Sequence, residues 1–99
     1  MSQLIHELNS KWYQFQFYED HFDCQFKKGL FRHVKESVRY QDIEKIEHNL
    51  HIINFVSCHQ FDFYIKGRKK LSINANTTIQ TNELNIAINF IQKKISNLS

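Results

Sequence analysis

The sequence predicts a mainly β domain of the α+β class, with seven antiparallel strands and one amphipathic C-terminal helix. Apolar and polar residues alternate with period two through most of residues 11–76, the pattern of strands that bury one face. Phe, Trp and Tyr make up 14% of the chain, nine of them Phe, which gives such strands large side chains to bury. Beyond about residue 80 the period becomes that of a helix.

The strands follow in order. Ser2 to Asn9 brings Leu4, Ile5 and Leu8 to one side of one or two helical turns, so residues 1–10 are expected to be an N-terminal extension with a short helix. Residues 11–99 form the domain, with strands over about 11–76. In Lys11–Glu19, Trp12, Gln14, Gln16 and Tyr18 share one face, and Tyr13, Phe15, Phe17 and Glu19 the other. Glu19-Asp20-His21 offers a tight turn, after which Phe22, Cys24 and Phe26 alternate with Asp23, Gln25 and Lys27. These two runs read as a hairpin. Gly29 marks a turn or bulge. His33–Tyr40 is the third strand and Gln41-Asp42 interrupts it. Ile43–Asn49, His51–Ser57, His59–Lys66 and Lys70–Ala75 are four further strand candidates, the last two joined by the turn Gly67-Arg68-Lys69-Lys70. Strands this closely spaced, without a helix between them, imply antiparallel meanders.

The helix is expected over about residues 81–97. Leu84, Ala87, Ile88, Ile91, Ile95 and Leu98 form its apolar stripe, which Ile86 and Phe90 widen. Thr81 is the expected N-cap, with Glu83 in the first turn and Lys93 and Lys94 in the last, each favourable to the helix dipole.

Composition bounds the function. The 99 residues suffice for one core and not for two. Hydrophobic residues at 41% and charged residues at 23% are ordinary globular proportions, which argues against disorder. With no proline and two glycines the chain offers no linker. No apolar run could span a bilayer, and Met1–Ser10 lacks the pattern of a signal peptide, so a cytoplasmic location is expected. Cys24 and Cys58 are expected to be small core residues in a reducing compartment. Asn76-Thr77-Thr78 matches a glycosylation acceptor that is idle without secretion. Thirteen Lys and Arg against ten Asp and Glu give +3, which permits contact with an anionic surface without demanding it.

Two stretches resemble the bacterial pleckstrin-homology family: Lys28-Gly29-Leu30-Phe31-Arg32, and Glu36 to Glu47 with its Val38-Arg39-Tyr40-Gln41-Asp42-Ile43-Glu44-Lys45-Ile46. In that family a strand, a G-L-F turn and an I-P-Y-x-x-I-x-x-I corner recur. Here Val38-Arg39-Tyr40 stands in place of Ile-Pro-Tyr. The resemblance covers about residues 12–98. It implies a seven-stranded antiparallel barrel or sandwich of pleckstrin-homology-like (PH-like) fold, capped by the C-terminal helix, in a small bacterial or phage protein. Tyr40 and Ile43 would anchor the corner in the core. The family's phosphoinositide binders carry basic residues along the first hairpin. The turn expected there, Glu19-Asp20-His21, is acidic, so no lipid site carries over.

Candidate contacts for an anion or partner are Lys27, Lys28, Arg32 and Lys35, beside His33, and Lys66, Arg68, Lys69 and Lys70. Both groups flank turns and could meet phosphate. Charge runs more often only solubilise a surface. Six histidines raise a metal site, but no C-x-x-C or H-E-x-x-H spacing occurs, and strand neighbours such as Cys58 and His59 face opposite ways. His48 and His51 read as surface residues. Asp62, within an alternating strand, reads as exposed, and Asp42 as a turn cap. Trp12, Phe15 and Phe17 could stack bases but suit a core better. No phosphate loop, nucleophile elbow or catalytic cysteine signature is present, so no enzyme activity, cofactor or metal is expected.

The expected function is therefore that of a binding module, an adaptor or inhibitor that meets a protein partner at a sheet edge or beside the helix. Self-association through an edge strand is a related expectation. The alternative is electrostatic binding of nucleic acid or an anionic membrane through the basic turns.

Overall fold

The structure, a computed structural model, describes residues 3–28 and 32–98. It contains β1 (Leu4–Asn9), β2 (Tyr13–Tyr18), β3 (His21–Lys28), β4 (Arg32–Arg39), one turn of 3-10 helix (Tyr40–Asp42), β5 (Ile43–Ile53), β6 (Val56–Ile65), β7 (Leu71–Ala75) and α1 (Thr78–Ser96). The strands make two antiparallel sheets, β1-β2-β3-β4 and β5-β6-β7. The fold is thus mainly β with one C-terminal helix. The expected turn at Gly29, with Leu30 and Phe31, lies outside the described residues.

Period-two alternation builds the core. β2 buries Tyr13, Phe15 and Phe17, which stand opposite Phe26, Cys24 and Phe22 of β3. The second sheet buries Phe61, Phe63 and Ile65 with Leu71, Ile73 and Ala75. The Phe22 ring lies 5.9 Å from that of Tyr40 and 6.1 Å from that of Phe63, so it links the first sheet to the corner and to the second sheet. Tyr40 and Ile43 are buried at the corner. There the Tyr40 hydroxyl donates to the Tyr18 carbonyl at 3.0 Å, and its backbone N–H donates to the Asp20 carbonyl at 3.1 Å. Over this core α1 lays Leu84, Ala87, Ile88 and Ile91, while Phe90 packs on Phe17 at 4.4 Å between ring centroids.

Four expectations are corrected. First, residues 4–9 form a strand and not a short helix, so the folded domain takes in part of the expected extension. Leu4, Ile5 and Leu8 fit one helical turn, but an isolated turn is marginal in water. The open edge of β2 instead satisfies the β1 backbone and brings His6 opposite Phe17 and Leu8 opposite Phe15.

Second, His51–Ser57 is not one strand. β5 continues to Ile53, Asn54 and Phe55 turn the chain, and Val56 opens β6 opposite Ile53. Both turn residues have positive φ, 52° and 67°, the backbone of a two-residue type I′ loop.

Third, the helix begins at Thr78 with Thr77 as its cap. Thr77 Oγ1 accepts the Gln80 N–H at 3.1 Å, and Gln80 Oε1 accepts the Asn76 N–H at 2.8 Å. Glu83 therefore lies beyond the first turn. Ile86 and Leu98 are exposed rather than part of the buried stripe.

Fourth, only Cys24 is a core cysteine. Cys58 is half-buried, its thiol donating to Asn76 Oδ1 at 2.9 Å.

No helix among the described residues is long and apolar enough to cross a membrane.

Candidate functional site

Each strand of the second sheet has one side toward the core. On β5 that side carries Ile46, His48, Leu50 and Ile52, opposite Phe63, Phe61, His59 and Ser57 of β6. The helix covers only part of this surface. Its first turns line a recess of about 410 Å³ with Phe55, Val56, Ser57 and His59. Its last turns line another, of about 330 Å³, with Ile43, Glu44, Lys45 and Ile46. The helix thus crosses from the end of β7 to the start of β5, and the far half of the β5–β6 hairpin extends past it. Phe61 and Phe63 are buried beneath the crossing, whereas Leu50 is 56% and Ile52 72% exposed on the same side of the sheet. At the tip Phe55 is fully exposed, at 101%.

The result is a groove. Its floor is the core-facing side of β5, apolar at Ile46, Leu50 and Ile52 and polar at His48. Its wall is the polar flank of α1: Thr78 and Asn82 at one end, Gln92 and Ser96 at the other, with Asn85 and Asn89 between them at helical spacing. Its rim is the outer edge of β5, the terminal strand of its sheet. An edge strand presents unpaired N–H and C=O groups, and alternate apolar side chains beside it can discriminate among added strands.

The opposite side of this sheet is polar and self-satisfied. Asp62, expected to be exposed, is only 2% exposed. It lies opposite Glu47 of β5 and Ser72 of β7 and accepts from Ser72 Oγ at 2.6 Å and from Gln60 Nε2 and Asn49 Nδ2 at 2.9 Å each. Burial opposes its ionisation, yet these donors and the Lys70 ammonium at 4.0 Å together hold the carboxyl below its ordinary pKa. Lys45 bonds Glu47 at 3.0 Å, and Lys45 and Lys70 lie 4.7 and 6.0 Å from the Tyr64 ring centroid.

The basic residues fall in two separate places. Lys27, Arg32, His33 and Lys35 are exposed at the β3–β4 end, with Lys27 opposite His33 and the Lys28 backbone opposite Arg32. The Lys28 side chain lies outside the described part of the structure. Lys27, His33 and Lys35 stand on the outer side, whereas Arg32 shares the strand parity of Val34. Lys66, Arg68, Lys69 and Lys70 occupy the β6–β7 turn. Arg68 is engaged there: its guanidinium pairs with Glu36 and donates to the Ser37 carbonyl at 3.3 Å. With Lys70 beside Asp62, Lys66 and Lys69 are the cations of this turn that form no ion pair among the described residues. β1 also moves the first hairpin. Its turn is Ser10-Lys11-Trp12, held by the Tyr13 N–H donating to Ser10 Oγ at 3.0 Å, not the acidic Glu19-Asp20.

Phe15 and Phe17 are buried and Trp12 packs against the core, so these rings are not a base-stacking platform. Among the described residues no three His, Cys, Asp or Glu side chains gather around a common point. The groove residues Leu50, Ile52 and Phe55 had one signal in the sequence. The apolar alternation of β5 runs to the hairpin tip, further than one short helix can cover.

Compared with known proteins, the chain matches no family model, no curated protein and no solved structure.

Proposed function

We propose that this protein is a non-enzymatic binding module of PH-like architecture that takes an extended segment of a protein partner along β5, beside α1. One observation carries the reading: an eleven-residue edge strand whose core-facing side is left uncovered at Leu50 and Ile52. Added main-chain hydrogen bonds supply affinity, and the apolar side chains supply selectivity. The order of four strands, three strands and a C-terminal helix agrees with the PH-like reading, as does the buried Tyr40–Ile43 corner. A module of this kind acts as an adaptor or an inhibitor. The same edge in a second copy is the related self-association.

The test is capture of the partner from native lysate at high salt by three proteins: wild type, Leu50→Asp with Ile52→Asp, and Lys66→Glu with Lys69→Glu. The groove pair should lose the partner at least tenfold, since central apolar contacts cost more than ~1 kcal/mol each when removed. The turn pair should retain it. The opposite pattern, with retention falling steeply as salt rises, would transfer the function to the basic turns.

A further inference from the structure

We infer that His48 and His59 form a binding site for a divalent transition-metal ion of the kind that prefers imidazole: zinc, nickel or copper. His48 Nε2 and His59 Nδ1 lie 2.7 Å apart. Their ring centroids are 5.0 Å apart with 27° between planes. The rings therefore meet edge to edge, the two nitrogens directed at each other. A neutral pair in this geometry shares one proton, with one ring as donor and the other as acceptor.

The sheet sets this approach. His59 stands opposite Leu50 and His48 opposite Phe61, so the two histidines are diagonal neighbours on one side of a hairpin. His48 lies flat on Phe61, with centroids 4.4 Å apart and 9° between planes, which fixes one ligand. His59 borders the recess at the helix start and has room to turn. Two zinc–nitrogen bonds of about 2.0–2.1 Å at a tetrahedral angle need the nitrogens about 3.3 Å apart. The nitrogens now oppose each other along one line, so a common ion needs them about 0.6 Å further apart and, with His48 held on Phe61, the His59 ring swung by roughly 70° toward the recess. The shared proton moves to the other nitrogen of the donor ring, so the neutral pair takes the ion without releasing a proton.

Two imidazoles select the ion. Magnesium and calcium require oxygen ligands, which the pair does not offer. Two protein ligands also leave coordination positions open to water or to a donor side chain of whatever occupies the groove. This inference goes beyond the binding reading and stands without it.

The test titrates the full chain with zinc chloride, and with magnesium chloride as control, by calorimetry and by NMR of the histidine rings. One saturable zinc site is expected. The ring signals of His48 and His59 should shift, and those of His51, on the other side of β5, should not. His48→Ala and His59→Ala should each weaken binding tenfold or more. His59→Phe should do the same while keeping an aromatic ring on the sheet, and His51→Ala should bind as wild type. One ion per two chains that still requires both histidines also supports the site, a second copy filling the open positions. No saturable binding, equal weakening by His51→Ala, or a shift spread over all six histidines would overturn it.

Discussion

Replacing Phe55 by glycine tests what the β5–β6 tip is for. Phe55 has φ 67°, in the left-handed region that costs an L residue about 1–2 kcal/mol. Its side chain is fully exposed, so truncation forfeits no burial within this chain. Glycine adopts the conformation freely but gives back about 0.5–1 kcal/mol through the greater freedom of its unfolded chain. The balance favours glycine by about 0.5–1 kcal/mol, and Asn-Gly is the preferred pair for this turn. Phe55→Gly should then raise Tm by roughly 2–8 °C. In urea the midpoint should rise by about 0.5 M with no change in slope. Capture of the partner should fall in the same variant. A strained, solvent-facing aromatic ring at a hairpin tip forgoes stability there, and on the proposed binding function an anchor for the partner is what it would gain. A lower midpoint at unchanged slope would refute the reasoning, because Phe55 would then stabilise the folded chain. Higher stability with full binding would remove Phe55 from the site while leaving the backbone argument intact.

Other outcomes follow from the same structure. Gly67 has φ 74°, and nothing lies within 4 Å of where a Cβ would sit, so Gly67→Ala should cost about 0.5–1 kcal/mol, the backbone strain less the freedom alanine removes from the unfolded chain, read as a fall in Tm of roughly 2–8 °C. Asp62→Ala strands three donors and should cost about 3 kcal/mol in a denaturant titration. The Asp62 carboxyl is held below its ordinary value, so its contribution is full above about pH 4 and is lost as pH falls through the lower folded value; Asp62→Asn should flatten that acid limb of the stability curve. Burial, then the charges of Glu36 and Asp23, push the Cys24 thiol up to about 12, so an alkylating reagent should label Cys58 in the native protein and both cysteines only after unfolding, as mass spectrometry would show.

Much of the fold was legible because alternation is a local signal. Phe15, Phe17, Phe22 and Phe63 declare a buried face whatever the tertiary context, and the helix declares its stripe through Leu84, Ala87, Ile88 and Ile91. The misreadings arose where a partner decides. Leu4, Ile5 and Leu8 suit a turn of helix as well as a strand, and only the free edge of β2 chooses between them. The hairpin at Asn54-Phe55 was hidden because its second residue is not glycine: a phenylalanine in a left-handed turn reads as strand. The cap at Thr77 had a signal, Thr-x-x-Gln, which the later Thr81 obscured. The groove was the least legible part. The exposure of Leu50 and Ile52 depends on where α1 crosses the sheet, and the meeting of His48 with His59 on a register that begins at a turn the pattern concealed.

Among the described residues, every strand pair lies wholly before Tyr40 or wholly after Asp42. What joins the halves is chiefly side-chain packing, with a few hydrogen bonds such as Tyr13 Oη donating to the Asn74 carbonyl and Arg68 reaching Glu36. A break in the chain at this corner would spare every ladder bond and sever only a tether. The two pieces, each a meander with one apolar face, are suited to reassemble on mixing, with Phe22 of one meeting Phe63 of the other. The corner is thus the natural seam for a split reporter whose signal depends on the core closing.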